Sequence, residues 1–160
     1  MTRLVTLPEL AGLKNAYDDH RQLGVDRWLT LVAAYFLSDR DALIVDAGSA
    51  ITLDLLSQRQ GHLGGAILPG LNTPPDRFKA LFPQLDYAHA DIAMTDDPGR
   101  STAECIHLLD RQQILPHLQH LLVDWQQLLQ PPVSILLCGQ DAGTIAAALE
   151  IDGKVVEELV

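Results

Sequence analysis

Between Ala42 and Gly70 the chain holds three short apolar runs, and the turns between them are too tight for anything but antiparallel neighbours. The first, Ala42 to Val45, ends at Asp46-Ala47-Gly48. Ala50 to Leu56 alternates enough to pair back on it, and Arg59 to Gly61 supplies the next turn. Leu63 to Leu68 is the third, with Gly64-Gly65 at its start and Pro69-Gly70 closing it. The pattern predicts an antiparallel meander that feeds the core.

The flanks predict helices. Gly24 to Leu37 reads as a helix that Asp26 can cap, and apolar residues cover nearly every face after Arg27, which implies a buried helix. Helical spacing returns after Pro74-Pro75 through Phe78, Leu81 and Phe82, followed by a polar loop over 86–100. A long helical region runs from Ser101 to Gln130, interrupted or kinked at Pro116. Val133 to Leu137 is a strand, Cys138 to Gly143 a turn, Thr144 to Leu149 a short helix and Lys154 to Val160 a last strand. The order βββ-α-β-α-β with short connections fits one layered α/β unit. A helix opens the chain with no strand before it, and a strand pattern is still running at Val160, so both ends read as cut.

A length of 160 residues with 48% hydrophobic side chains suffices for one core. Eleven Lys and Arg against 21 Asp and Glu give a net charge of −10. No clustered basic face is available to displace phosphate counterions, so nucleic acid is not an expected partner. Cys105 and Cys138 sit in apolar sequence surroundings and suit a reducing compartment. The first ten residues lack the apolar stretch of a signal peptide, and Trp28 to Leu37 is half the length of a membrane span. These features predict a cytoplasmic protein with no membrane partner.

Two segments can carry chemistry. In Tyr17 to Arg27, Gly24 can turn the chain so that Asp26 and Arg27 stand at a helix start, offering a carboxylate to a hydroxyl and a guanidinium to an anion. Equally, Asp26 can be an N-cap and Arg27 a surface cation. In Asp46-Ala47-Gly48-Ser49-Ala50-Ile51-Thr52-Leu53-Asp54, one turn gathers a carboxylate, bare amides and a hydroxyl, which suits a phosphate and a cation. The same residues also serve an ordinary hairpin turn. Asp54 reads as polar on an exposed strand face, and Gly64-Gly65 as backbone punctuation. A hydroxyl of Gly99-Arg100-Ser101-Thr102 can cap a helix or reach a ligand. Cys138 to Ala142 is a strand-to-helix turn of the kind that receives a nucleotide. His117 and His120 share a helix face without an evident third ligand, which favours a solvated face over a metal. No Walker-type loop, zinc-ligand cluster or nucleophile elbow is present.

In this order the segments resemble type III pantothenate kinase: Tyr17 with Leu23 to Trp28, Asp46 to Asp54, Gly64 to Gly70, Gly99 to Thr102, and Gly139 to Ala142. The resemblance implies an RNase-H-like lobe of the actin-like kinase superfamily, truncated at the N-terminus. Residues 1–40 would be a remnant of the N-terminal lobe carrying the 24–37 helix, and 41–160 the C-terminal lobe. It implies ATP-dependent phosphorylation of pantothenate to 4'-phosphopantothenate in coenzyme A synthesis. Asp26 would accept the proton of the pantothenate hydroxyl, and Tyr17, Gly24, Val25, Asp26, Arg27 and Thr102 would bind pantothenate. Ser49 would contact ATP, and Asp46 would hold a monovalent cation, K⁺ or NH₄⁺, with Mg²⁺ arriving on ATP. A loose phosphoryl-transfer transition state needs positioning more than a strong base, so a carboxylate suffices.

The resemblance further implies a homodimer. The family's opening Asp-x-Gly-Asn-Thr/Ser phosphate loop has no counterpart here, so the chain by itself is expected to be incomplete or inactive. His20, Ser49, Leu109 and Gln140 also depart from the family's usual residues. The alternatives are a non-catalytic paralogue acting as a binding or regulatory accessory protein, or a structural domain without a ligand.

Overall fold

The computed structural model describes residues 4–71, 73, 80, 83, 98–102, 105, 114–151 and 154–155. The chain enters through a small hairpin, β1 (Glu9–Leu10) and β2 (Leu13–Lys14). A 3-10 turn at His20–Gln22, closed by the Asp19 carboxylate on the Arg21 N–H, leads into helix α1 (Val25–Leu37). Then come β3 (Ala42–Ala47), β4 (Ala50–Ser57) and β5 (Gly61–Pro69), each antiparallel to the one before. Helix α2 (Ile114–Gln126), strand β6 (Ser134–Cys138), helix α3 (Ala142–Ala148) and strand β7 (Lys154–Val155) follow. The five longer-range strands lie in the order β5-β4-β3-β6-β7, with β6 parallel to β3 and β7 parallel to β6. The architecture is mixed α/β, and the meander stands where the apolar runs predict it.

Alternation along the strands sorts the core into two layers. Leu43, Val45, Leu53, Leu55, Ala66 and Leu137 point to one face, where Leu118, Leu121 and Trp125 of α2 and Ile145 of α3 cover them. Ala42, Ile44, Leu56, Ile67 and Leu136 point to the other, against Trp28, Leu31 and Ala34 of α1. Complete burial of a side chain such as Leu31 contributes about 2 kcal/mol. From Leu53 to Ser57 strand β4 is therefore dry on both faces, and a charged residue there cannot be left unpaired.

Helix α1 departs from the expectation of burial on every side. Arg27, Trp28, Thr30, Leu31 and Ala34 are buried, whereas Val25, Phe36 and Leu37 are exposed, the last to 79%. One stripe packs on the sheet and the rest faces outward. The helix is also capped by Gly24 and not by Asp26: Trp28 N–H donates to the Gly24 carbonyl at 3.0 Å, and Asp26 sits one residue inside the first turn. Helix α2 runs unbroken through Pro116 from Ile114 to Gln126, and residues 106–113 before it lie outside the described residues. The segment around Phe78, Leu81 and Phe82 and most of the 86–100 loop lie outside the described residues.

Asp41, in the polar break before β3, ties that end of the sheet together. Its Oδ1 accepts the Gln58 N–H at 2.8 Å, its Oδ2 the Gln130 N–H at 3.0 Å, and its carbonyl the Ser134 N–H at 2.9 Å. The end of α1 lies here too, since Phe36 to Arg40 and Ser134 line one surface hollow. Helix α1 thus runs against the direction of β3, and its start lies over the strand's C-terminal end.

Candidate functional site

The start of α1 separates two neighbouring side chains. Asp26 is exposed, its carboxylate folded back over Gly24, where a Cβ would meet Oδ1 at 2.5 Å. Arg27 turns inward and is 5% exposed. Its Nε donates to Asp54 Oδ2 at 2.9 Å and its Nη2 to Asp54 Oδ1 at 2.6 Å, the bidentate geometry a guanidinium is shaped for. Nη1 donates to the Tyr17 hydroxyl at 2.9 Å, and the guanidinium carbon lies 5.7 Å from the Tyr17 ring centroid. Three of its five N–H donors go to Asp54 and Tyr17, and the Cys105 thiol also bonds to the same guanidinium.

Asp54 faces α1 from the middle of β4 and is 1% exposed, so its reading as an exposed strand residue is corrected. With helices on both sides of the sheet, β4 is buried on both faces from Leu53 to Ser57. Burial pushes its carboxyl up, but Arg27 first and His62 after it outweigh burial and hold it at about 2. Arg27 stays charged by the same balance, burial opposing and Asp54 prevailing. His62 Nε2 lies 2.9 Å from Asp54 Oδ1. Gly65 makes the room: a Cβ there would run into Arg27 Nη2 and lie 2.5 Å from the Leu53 carbonyl and 2.6 Å from Asp54 Oδ1. The glycine pair is thus more than punctuation.

Tyr17 is 5% exposed, and its hydroxyl lies 3.1 Å from Cys105 Sγ. Burial raises the Tyr17 phenol well above its ordinary value despite the nearby Arg27 charge, and burial raises the Cys105 thiol as well. Cys105 accordingly sits beside polar groups and not in the apolar setting expected of it. Thr102 is buried, its Oγ1 donating to the Gln22 carbonyl at 3.4 Å, so it docks its own segment on the turn before Gly24.

Asp46 lies near the C-terminal end of β3, two residues past Ile44 and on the same α1-facing side. It is half-buried. Burial raises its carboxyl, and the charges of Asp26 and Asp54 raise it further. The Cys138 thiol, paired across to Asp46 in β6, is pushed up to about 12 by burial and by Asp46, so this cysteine too has a charged neighbour. Exposed Ser49 forms the tip of the β3–β4 turn, and its carbonyl accepts the Gly70 N–H at 3.1 Å. Gly139, at φ +87°, closes over this end, where a Cβ would meet the Ala47 carbonyl at 2.5 Å and Asp46 Oδ1 at 2.7 Å.

The structure therefore joins Tyr17 to Arg27 directly and sets Asp26 and Asp46 close enough to feel each other's charge. Gly24 and Val25 line a groove of about 420 Å³ beside them, with Leu4, Thr6 and Gln22. Among the described residues no group of three or more His, Cys, Asp or Glu is arranged to hold a metal. His120 pairs with Asp124 at 3.3 Å on the half-exposed face expected of it, whereas His117 is buried. Sequence reasoning missed Asp54, His62 and Cys105 as members of the site. A signal was available for Asp54, the only charge inside the apolar run from Ala50 to Leu56.

The family model of type III pantothenate kinase matches residues 2–108. This chain belongs to the type III pantothenate kinase family. A type III pantothenate kinase of Ectopseudomonas mendocina is 32% identical over 156 residues, which are 95% of this chain and 62% of the relative. One of Pseudomonas aeruginosa is 33% identical over 155 residues with the same coverage. One of Pseudomonas paraeruginosa reaches 39% over 108 residues, 64% of this chain and 43% of its own length. The chain thus spans about 62% of the length of the first two family members. A crystal structure of a conserved Campylobacter jejuni protein overlays 89% of this chain and 61% of its own at a TM-score of 0.48 and 22% identity, a loose likeness from which nothing further follows. Among the described residues no helix is long and apolar enough to cross a membrane.

Proposed function

We propose that this chain forms the pantothenate-binding side of a type III pantothenate kinase, in which Asp26 accepts the proton of the hydroxyl that attacks ATP. The observation that carries the reading is the divergence of two consecutive residues, Asp26 outward and Arg27 inward onto Tyr17 and Asp54. Pantothenate has a carboxylate at one end and a primary hydroxyl at the other. Arg27 and Tyr17 would hold the carboxylate, Gly24, Val25 and Thr102 the body, and Asp26 the hydroxyl. Asp26 would take the proton as the O–P bond forms, and fixed charges would do most of the remaining work.

A monovalent cation, K⁺ or NH₄⁺, fits Asp46. That carboxylate is half-buried beside two others, Asp26 and Asp54, and only Asp54 is neutralised by a cation among the described residues. Such an ion would offset the crowding, and Ser49 would meet ATP, which brings its own Mg²⁺. The strand order, a meander joined by two parallel strands with helices on both faces, supports an RNase-H-like fold of the actin-like kinase kind. A homodimer is part of the same reading, supported by the exposed apolar side chains on α1.

Calorimetric titration of pantothenate into this chain tests the proposal. Binding is expected in the wild type, within about threefold of it in Asp26→Asn, and at least about tenfold weaker in Arg27→Lys, because an ammonium cannot replace the planar fork. No wild-type binding, or equal losses in the two variants, overturns the reading. Light scattering tests the homodimer, and a monomer of 17.5 kDa would contradict it.

A further inference from the structure

His62 lies at the head of β5 with a fully buried side chain, and the proposed chemistry gives it no task. Both ring nitrogens are nevertheless engaged. Nδ1 accepts the Ala16 N–H at 3.4 Å, and Nε2 meets Asp54 Oδ1 at 2.9 Å. A nitrogen that accepts an amide proton carries none of its own, so the ring proton must lie on Nε2, where it is donated to the carboxylate. The ring also stacks on Tyr17, with centroids 6.2 Å apart and planes at 23°.

The peptide held by Nδ1 belongs to the loop that presents Tyr17. The Ala16 carbonyl accepts from Arg100 Nε at 3.2 Å, and the Tyr17 N–H donates to Asn15 Oδ1 at 3.0 Å. The carboxylate held by Nε2 is the one that fixes Arg27. Tyr17 comes from a loop and Arg27 from a helix, and a single imidazole spans their supports.

We infer that His62 is a positioning residue for the anion end of the substrate: its neutral Nε2–H tautomer ties the Ala16–Tyr17 loop to Asp54 and so sets Tyr17 and Arg27 in mutual register. The inference rests on the reading of Tyr17 and Arg27 as pantothenate contacts, but its geometric half does not. Loss of His62 leaves both substrate groups in place and loosens the distance between them, so it weakens binding through Arg27 and not beside it.

Two measurements on this chain separate the inference from the proposed function. Long-range proton–nitrogen correlation of the labelled chain at neutral pH, with the His62 signals assigned by their loss in His62→Gln, should show Nε2 protonated and Nδ1 bare. The opposite tautomer, or a doubly protonated ring, overturns the inference whether or not pantothenate binds. In titrations, His62→Gln keeps a donor toward Asp54 and His62→Asn keeps an acceptor toward Ala16. Each should weaken pantothenate binding by a few-fold, and His62→Leu, which loses both, by about tenfold or more. In an Arg27→Lys background, His62→Leu should add less than about twofold. A folded His62→Leu that binds like wild type, or full additivity with Arg27→Lys, overturns the positioning role. A wild-type chain that binds no pantothenate overturns the functional reading instead, and the ring spectrum still decides the tie between loop and strand.

Discussion

The Arg27 guanidinium lies flat along the Asp54 carboxylate, Nε to Oδ2 at 2.9 Å and Nη2 to Oδ1 at 2.6 Å, over a glycine that could carry no side chain. Both partners are almost wholly buried, with side-chain exposures of 6% and 1%. Such a pair adds little over a well-packed apolar core, yet removing one member strands the other charge without water. The pair therefore governs both the stability of the domain and the shape of the site.

Asp54→Ala should destabilise the chain by about 3–5 kcal/mol, because it leaves the Arg27 cation buried and unpaired. Urea unfolding followed by circular dichroism measures this. The double variant Asp54→Ala/Arg27→Met should recover part of the loss. A loss under about 1 kcal/mol in Asp54→Ala would show that water reaches the pair.

Acid should act through the same carboxylate. Asp54 is held at about 2 in the folded chain and titrates near 4 when unfolded. A depressed acid contributes stability that is complete above the unfolded value and is lost as the pH falls through the folded one. Melting temperature should hence fall between about pH 4 and pH 2, and Asp54→Asn should flatten that limb while lowering the whole curve. An unchanged acid limb in Asp54→Asn would place the acid sensitivity elsewhere.

Asp46 answers to its neighbours. Burial raises its carboxyl, and the Asp26 charge adds to that. Asp26→Asn removes the second cause and leaves the first, so the Asp46 carboxyl carbon should titrate at lower pH than in wild type yet still above an ordinary aspartate. Identical Asp46 titrations in the two proteins would show that the carboxylates do not sense each other.

Gly65→Ala tests the space that the pair requires. The added methyl would collide with Arg27 and press on the Leu53 carbonyl and Asp54. A stability loss of about 2–3 kcal/mol is expected, together with weaker pantothenate binding. Retained stability with normal binding would mean that the strand can shift away.

What could be read from the sequence followed the physics that periodicity reports. Alternation and turn residues locate β3, β4 and β5 within a residue or two, because strand pairing needs both. Periodicity does not say what covers a face, so Asp54 read as exposed until α1 was seen lying over it. Nor does it say which of two residues caps a helix, and Gly24 took the place offered to Asp26. Tyr17 and Arg27 were visible as candidates from their residue types. Their junction through His62 was not, since the Ala16–His62 bond joins residues 46 apart.

The parallel pairing of β3 with β6 also sets an order of events during synthesis. The meander from Ala42 to Pro69 can close from neighbouring chain soon after it emerges, but one edge of β3 waits for Ser134–Cys138. Bonds such as Cys138 Sγ to the Val45 carbonyl span 93 residues. Until that stretch arrives, the strand that bears Asp46 is an open edge of apolar Leu43, Ile44 and Val45, the kind of surface on which chains stick to one another. Slow translation between the meander and β6 would prolong that exposure.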